Sequence, residues 1–108
     1  MTAINEITAT ELQRMRDSGV PHQLIDLREP YEAELCSIGG TLIPMAEIVE
    51  RCNELRRDLP VVMHCRTGAR ASAVVQALCS RYGFDNLLNL KGGIVAFAAD
   101  VDSNIFCD

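Results

Sequence analysis

The run Leu59-Pro60-Val61-Val62-Met63-His64, ending directly on Cys65-Arg66-Thr67-Gly68-Ala69-Arg70, constrains this chain more than any other stretch. A continuous apolar run of strand length predicts a central strand of a parallel sheet, covered on both faces. Parallel strands need crossovers, usually helices, so such a strand commits the chain to an α/β architecture. The rest of the sequence agrees. Leu24-Ile25-Asp26-Leu27, Thr41-Leu42-Ile43 and Asn86-Leu87-Leu88-Asn89-Leu90 read as further strands. Helical patterns alternate with them, so the expected fold is a mostly parallel sheet with helices on both faces.

Local signals set the helix ends. Thr8-Ala9-Thr10-Glu11 is a capping box, predicting a helix with Leu12 and Met15 inward that stops at Asp17-Ser18-Gly19. Pro30 suits the first turn of a brief helix through residues 31–34. Residues 45–55 show helical spacing in Ile48, Val49, Cys52 and Leu55. A helix is expected over residues 71–82, with Gly83 as its C-terminal cap, and a last one after Gly92-Gly93. The length of 108 residues fits one domain over residues 1–108, with no repeat or internal linker.

Net charge is −5, which argues against non-specific nucleic-acid binding and means that an anionic ligand needs a local basic patch. No apolar stretch approaches the ~20 residues that span a bilayer, and the N-terminus lacks a signal-peptide pattern. No membrane association is expected. Cys36, Cys52, Cys65, Cys79 and Cys107 are odd in number and form no Cys-x-x-Cys pair. A disulfide framework and a metal site are therefore not expected, and mostly reduced thiols suggest the cytoplasm. No cofactor is implied. Cys52 and Cys79 read as core residues on helix faces, and Cys107 as part of a loose terminus.

Cys65 is different. It closes the buried strand and so lies at the carboxyl edge of the sheet, where open parallel sheets bind ligands. The loop after it presents backbone N–H groups and runs into a helix N-terminus, surroundings that favour a thiolate or an anion attached to it. Gly68 permits a tight turn, and Arg66 and Arg70 add two permanent charges. Each has an ordinary alternative: Arg66 as a solvated surface charge, Arg70 as a first-turn residue paired with a carboxylate. His64 points to the opposite face from Cys65 and reads as a hydrogen-bonded interior histidine. Asp26 and Arg28 read as a structural ion pair at the site edge.

Cys65-Arg66-Thr67-Gly68-Ala69-Arg70 resembles the active-site loop of rhodanese-like domains, Cys-Arg-x-Gly-x-Arg. Three further segments follow the family order. Leu24-Ile25-Asp26-Leu27-Arg28-Glu29-Pro30-Tyr31-Glu32 resembles its Asp-x-Arg-Glu-Pro-x-Glu segment, Ile38-Gly39-Gly40-Thr41-Leu42-Ile43-Pro44 its Ile-Pro-Gly-Ala region, and Leu88-Asn89-Leu90-Lys91-Gly92-Gly93-Ile94 its Leu-x-Gly-Gly-Ile segment. Ser37 stands where the family usually has His, Gly39 where it has Pro, and Phe97 where it has Trp. The segment from Glu34 to Gly40 is also similar to rhodanese domains fused to adenylyltransferases of molybdopterin and thiamin biosynthesis.

The resemblance implies a rhodanese-like fold and a sulfurtransferase of the thiosulfate type. Cys65 would be the nucleophile that takes a sulfane sulfur as a persulfide. Arg66, Thr67, Gly68, Ala69 and Arg70 would bind a small anionic donor, and a thiol or sulfur-carrier protein would accept the sulfur. Loop length separates this from the cysteine phosphatases, whose loop is one residue longer between Cys and Arg. The alternatives are a non-enzymatic binding module and a sulfur-relay domain of a larger cofactor-biosynthesis protein.

Overall fold

The computed structural model describes residues 5–105. The readings made on residues 1–4 and on Cys107 lie outside them. Five strands form one parallel sheet: β1 (Glu6–Ile7), β2 (Gln23–Asp26), β3 (Thr41–Leu42), β4 (Val61–His64) and β5 (Leu87–Leu90), in the order β1-β5-β4-β2-β3. The apolar run expected to be central is central. β4 pairs with β2 on one side, Val62 beside Leu24, and with β5 on the other, Val62 beside Leu88. All four of its residues are buried.

The strand period of two divides the core. Ile25, Val61, Met63 and Leu87 face one side, where they meet Val74, Val75 and Leu78 of α3 (Ala69–Tyr82) together with Ile43, Ile48 and Leu55. Leu24, Val62 and Leu90 face the other, against Leu12 of α1 (Ala9–Asp17) and Ile94 and Phe97 of α4 (Gly93–Asp100). Each fully buried side chain of this size contributes roughly 1.5–3 kcal/mol. The fold is thus the α/β sheet with helices on both faces that the alternation predicts. Among the described residues, no helix is long and apolar enough to cross a membrane.

The capping box forms as read: Glu11 N–H donates to Thr8 Oγ1 at 3.1 Å and Thr8 N–H to Glu11 Oε1 at 2.9 Å. The short helix after Pro30 is α2 (Pro30–Leu35). Three expectations need correction. Residues 45–55 fold as two 3₁₀ turns, Met45–Glu47 and Cys52–Glu54, not one α-helix. Only Ile48 and Leu55 of that stretch are fully buried and Val49 is 49 % exposed, too little apolar contact to hold a full helix. Strand β1 escaped notice because two residues carry no periodicity; it exists by pairing with β5. Finally, α3 starts at Ala69, two residues early, with Gly68 as its N-cap.

Candidate functional site

β4 delivers Cys65 to the carboxyl edge of the sheet, and α3 starts after only three more residues. The early start changes what the thiol touches. Gly68 has no side chain with which to cap α3, and Cys65 Sγ does so instead. It accepts from Gly68 N–H at 3.1 Å and from Ala71 N–H at 3.4 Å, the N-cap and third residues of the helix. First-turn N–H groups have no intrahelical acceptor, and the helix places partial positive charge there. The sulfur is therefore held by donors, at 1 % residue exposure, beside a helix N-terminus. Gly68 has φ +103°, a conformation that favours glycine.

The remaining loop residues divide. Arg66, Thr67 and Ala69 are exposed and Gly68 is buried. Arg66 makes no ion pair among the described residues. Arg70 does not stand free, as it would to meet a ligand with its full charge. From the first turn of α3 its Nη1 and Nη2 donate to Glu32 Oε1 and Oε2 at 2.8 and 2.9 Å. This is the paired alternative noted for Arg70. The Arg70 hydrogen bonds, set against partial burial, hold the Glu32 carboxyl down at about 2.

A second cluster lies at the carboxyl end of β2, the strand beside β4. Arg28 Nε and Nη2 donate to Asp26 Oδ1 and Oδ2 at 3.0 and 2.8 Å, and Nη2 also donates to the Cys36 carbonyl at 2.7 Å. Both side chains are buried. Burial pushes the Asp26 carboxyl up, but its hydrogen bonds from Arg28 hold it below its usual value on balance. The Asp26–Arg28 ion pair is as read. His64 is interior as read, on the sheet face opposite Cys65, but not hydrogen-bonded: among the described residues neither ring nitrogen has a partner. Its Nε2 lies 4.0 Å from Asp26 Oδ2. Burial lowers it to about 4, so the ring is neutral at pH 7.

Cys52 and Cys79 are both half-buried, and Cys52 packs against the core as expected. Cys52, Cys65 and Cys79 are free thiols, in line with mostly reduced cysteines, and Cys36 is disulfide-bonded, a single bond that the expectation of no disulfide framework did not anticipate.

Two positions that build the site were not read from the sequence as site residues. Glu32 is one. The other is Gly93, at φ +60°, where an added Cβ would run into the Cys65 and Arg66 carbonyls. That close approach lets α4 clamp the loop: Ile94 N–H donates to Cys65 O at 3.0 Å and Val95 N–H to Arg66 O at 3.1 Å. The Gly-Gly pair was the signal.

A buried cysteine on a donor-lined turn, at the carboxyl edge of a parallel sheet, defines the class as an α/β domain with a cysteine-bearing loop between a central strand and a helix N-terminus. The rhodanese-like domain family model matches residues 8–100, and the chain belongs to that family. It is 38 % identical over 97 residues to a sulfurtransferase of Allochromatium vinosum, covering 88 % of this chain and 89 % of the relative. It is 36 % identical over 102 residues to the probable adenylyltransferase/sulfurtransferase MoeZ of Mycobacterium tuberculosis. That match takes in 92 % of this chain but spans only 26 % of the relative. The rhodanese-like domain protein of Staphylococcus aureus superposes with a TM-score of 0.81 at 26 % identity, covering 97 % of this chain and 99 % of that one.

Proposed function

We propose that this chain is a sulfurtransferase that carries a sulfane sulfur on Cys65, taking it from an anionic donor of the thiosulfate type. The Cys65 thiolate attacks the outer sulfur of thiosulfate, an S–S bond forms to Cys65, and the electron pair of the broken S–S bond leaves with sulfite. The persulfide then gives its terminal sulfur to a nucleophilic acceptor, a small thiol or a sulfur-carrier protein, and the thiolate returns. The observation that carries this reading is the seat of Cys65 Sγ on the Gly68 and Ala71 N–H groups, which stabilise negative charge on sulfur. Arg66, Thr67 and Ala69 form the exposed lip where a donor would arrive, Arg66 supplying positive charge.

A sulfur-relay role within a longer protein is the second reading. It is favoured by the match to about a quarter of the mycobacterial relative. Incubation with thiosulfate, followed by intact-mass measurement and cyanide-dependent thiocyanate release, tests the first. One added sulfur, lost in Cys65→Ser, is expected. Turnover of an aryl phosphate with no sulfur gain from any sulfane donor would overturn it.

A further inference from the structure

The reading above leaves open how much positive charge the loop offers a donor. Arg66 is exposed and without an ion pair among the described residues. Arg70 is paired through both terminal nitrogens with Glu32, whose carboxyl side is itself fixed. Glu32 Oε1 also accepts from Glu29 N–H at 3.0 Å in the capping box of α2, and its backbone carbonyl accepts from Arg28 Nη1 at 3.4 Å. The Glu32 side chain is 16 % exposed and that of Arg70 34 %, so the pair is neither loosely held nor fully screened. The Arg70–Glu32 unit carries no net charge. It still has three guanidinium N–H groups to offer, since a bidentate carboxylate takes two of the five.

We propose that Glu32 is a positioning residue that sets which donor charge the Cys65 loop accepts. It holds the Arg70 guanidinium in one orientation and cancels its charge, so that the loop favours singly charged sulfane donors over doubly charged ones. The inference rests on sulfur transfer at Cys65. Its basis is a charge balance: a dianion approaching a thiolate meets one uncompensated side-chain cation on the loop instead of two. The donors that separate the cases share one chemistry. Thiosulfate transfers its outer sulfur and releases sulfite, carrying two negative charges throughout. Benzenethiosulfonate transfers its outer sulfur and releases benzenesulfinate, carrying one.

The experiment measures kcat and KM for both donors, with cyanide as acceptor, in wild type, Glu32→Gln, Arg70→Gln and Glu34→Gln. Gln keeps one acceptor oxygen for the α2 capping box and for Arg70 Nη1; it removes the charge and the second acceptor, the one facing Arg70 Nη2. Glu34 is exposed on the same helix and controls for the change in net charge. Glu32→Gln is expected to raise the thiosulfate-to-benzenethiosulfonate ratio of kcat/KM about five- to ten-fold at low ionic strength, the effect of one unit charge at a partly screened site. The change should lie mostly in KM and shrink with salt. Arg70→Gln should move the ratio the other way, which keeps the proposal testable should Glu32→Gln fold poorly. Glu34→Gln should leave it within two-fold. A ratio unchanged in both Glu32→Gln and Arg70→Gln, or moved equally by Glu34→Gln, overturns the role of Glu32 alone. Wild type that takes sulfur from neither donor overturns the sulfur-transfer reading, and this proposal with it.

Discussion

Substituting Gly93 by Ala should damage the fold and the Cys65 loop together, by an amount that can be worked out from its surroundings. A Cβ there would lie 2.5 Å from the Cys65 carbonyl oxygen and closer still to that of Arg66. Those obstacles are backbone, not the end of a flexible side chain, so α4 must retreat. Retreat breaks the Ile94–Cys65 and Val95–Arg66 hydrogen bonds, at about 1 kcal/mol each. Holding Ala at φ +60° costs a further 1–2 kcal/mol, roughly. The total is about 3–4 kcal/mol, or at least ~12 °C in Tm for a domain of this size. Gly83 is the internal control. Its φ is +69°, but a Cβ there meets nothing within 4 Å, so Gly83→Ala carries only the conformational cost, about 1–2 kcal/mol. Thermal unfolding by circular dichroism compares the two, and alkylation of Cys65 by iodoacetamide follows the loop. Gly93→Ala should fall well below Gly83→Ala in Tm and expose Cys65 to faster alkylation. Equal Tm losses, or an unaltered Cys65 alkylation rate, would refute the clamp.

Three further outcomes follow from the buried and paired charges. His64, neutral down to about 4, should keep a neutral imidazole at pH 5.5 in nitrogen-15 spectra. Because its unfolded value is near 6.5, it withdraws stability as pH falls from about 6.5 toward 4; a folded-state titration above 6 would contradict this. Glu32, held at about 2 against an ordinary 4.5, adds stability that is complete above pH 5 and lost as pH falls through 2. The Tm difference between wild type and Glu32→Gln should therefore shrink below pH 4; a constant difference would show that the pair is not the cause. Arg28→Met removes the guanidinium and leaves the buried Asp26 carboxylate with only the backbone N–H of residue 28 as a donor, and should cost about 3–5 kcal/mol in urea denaturation. Asp26→Leu added to it should recover much of that loss; a single variant costing under about 1 kcal/mol would deny the pair its role.

What the sequence made legible was what neighbours in the chain decide. The Thr8–Glu11 capping box spans one helical turn, and its two hydrogen bonds form as the residue types require. The β4 run needed no partner to be recognised as buried on both faces. Residues 45–55 show where such reasoning stops. Ile48 and Leu55 do face the core, seven apart as in a helix, yet apart from one α-type bond, Arg51 N–H to Glu47 O, the backbone between them takes i→i+3 bonds, with the Arg51 side chain paired to Glu47 and Glu54. Apolar spacing reports which side chains are inside. It does not report which backbone brings them there.

The same limit governs the candidate site. Cys65 and Gly68 were legible because strand, turn and helix follow one another directly, and the sulfur is capped by N–H groups within six residues of it. The charge at the loop was not. Counting cations gave Arg66 and Arg70 equal standing, but the partner of Arg70 lies 38 residues away on α2, at the edge of the site only because β2 and β4 are adjacent. A charge read from sequence is formal; a ligand meets it only after its tertiary partners have been subtracted. Here the subtraction removes one of two arginines. The charge that the loop presents therefore depends on a glutamate that belongs to neither the strand nor the helix flanking the cysteine.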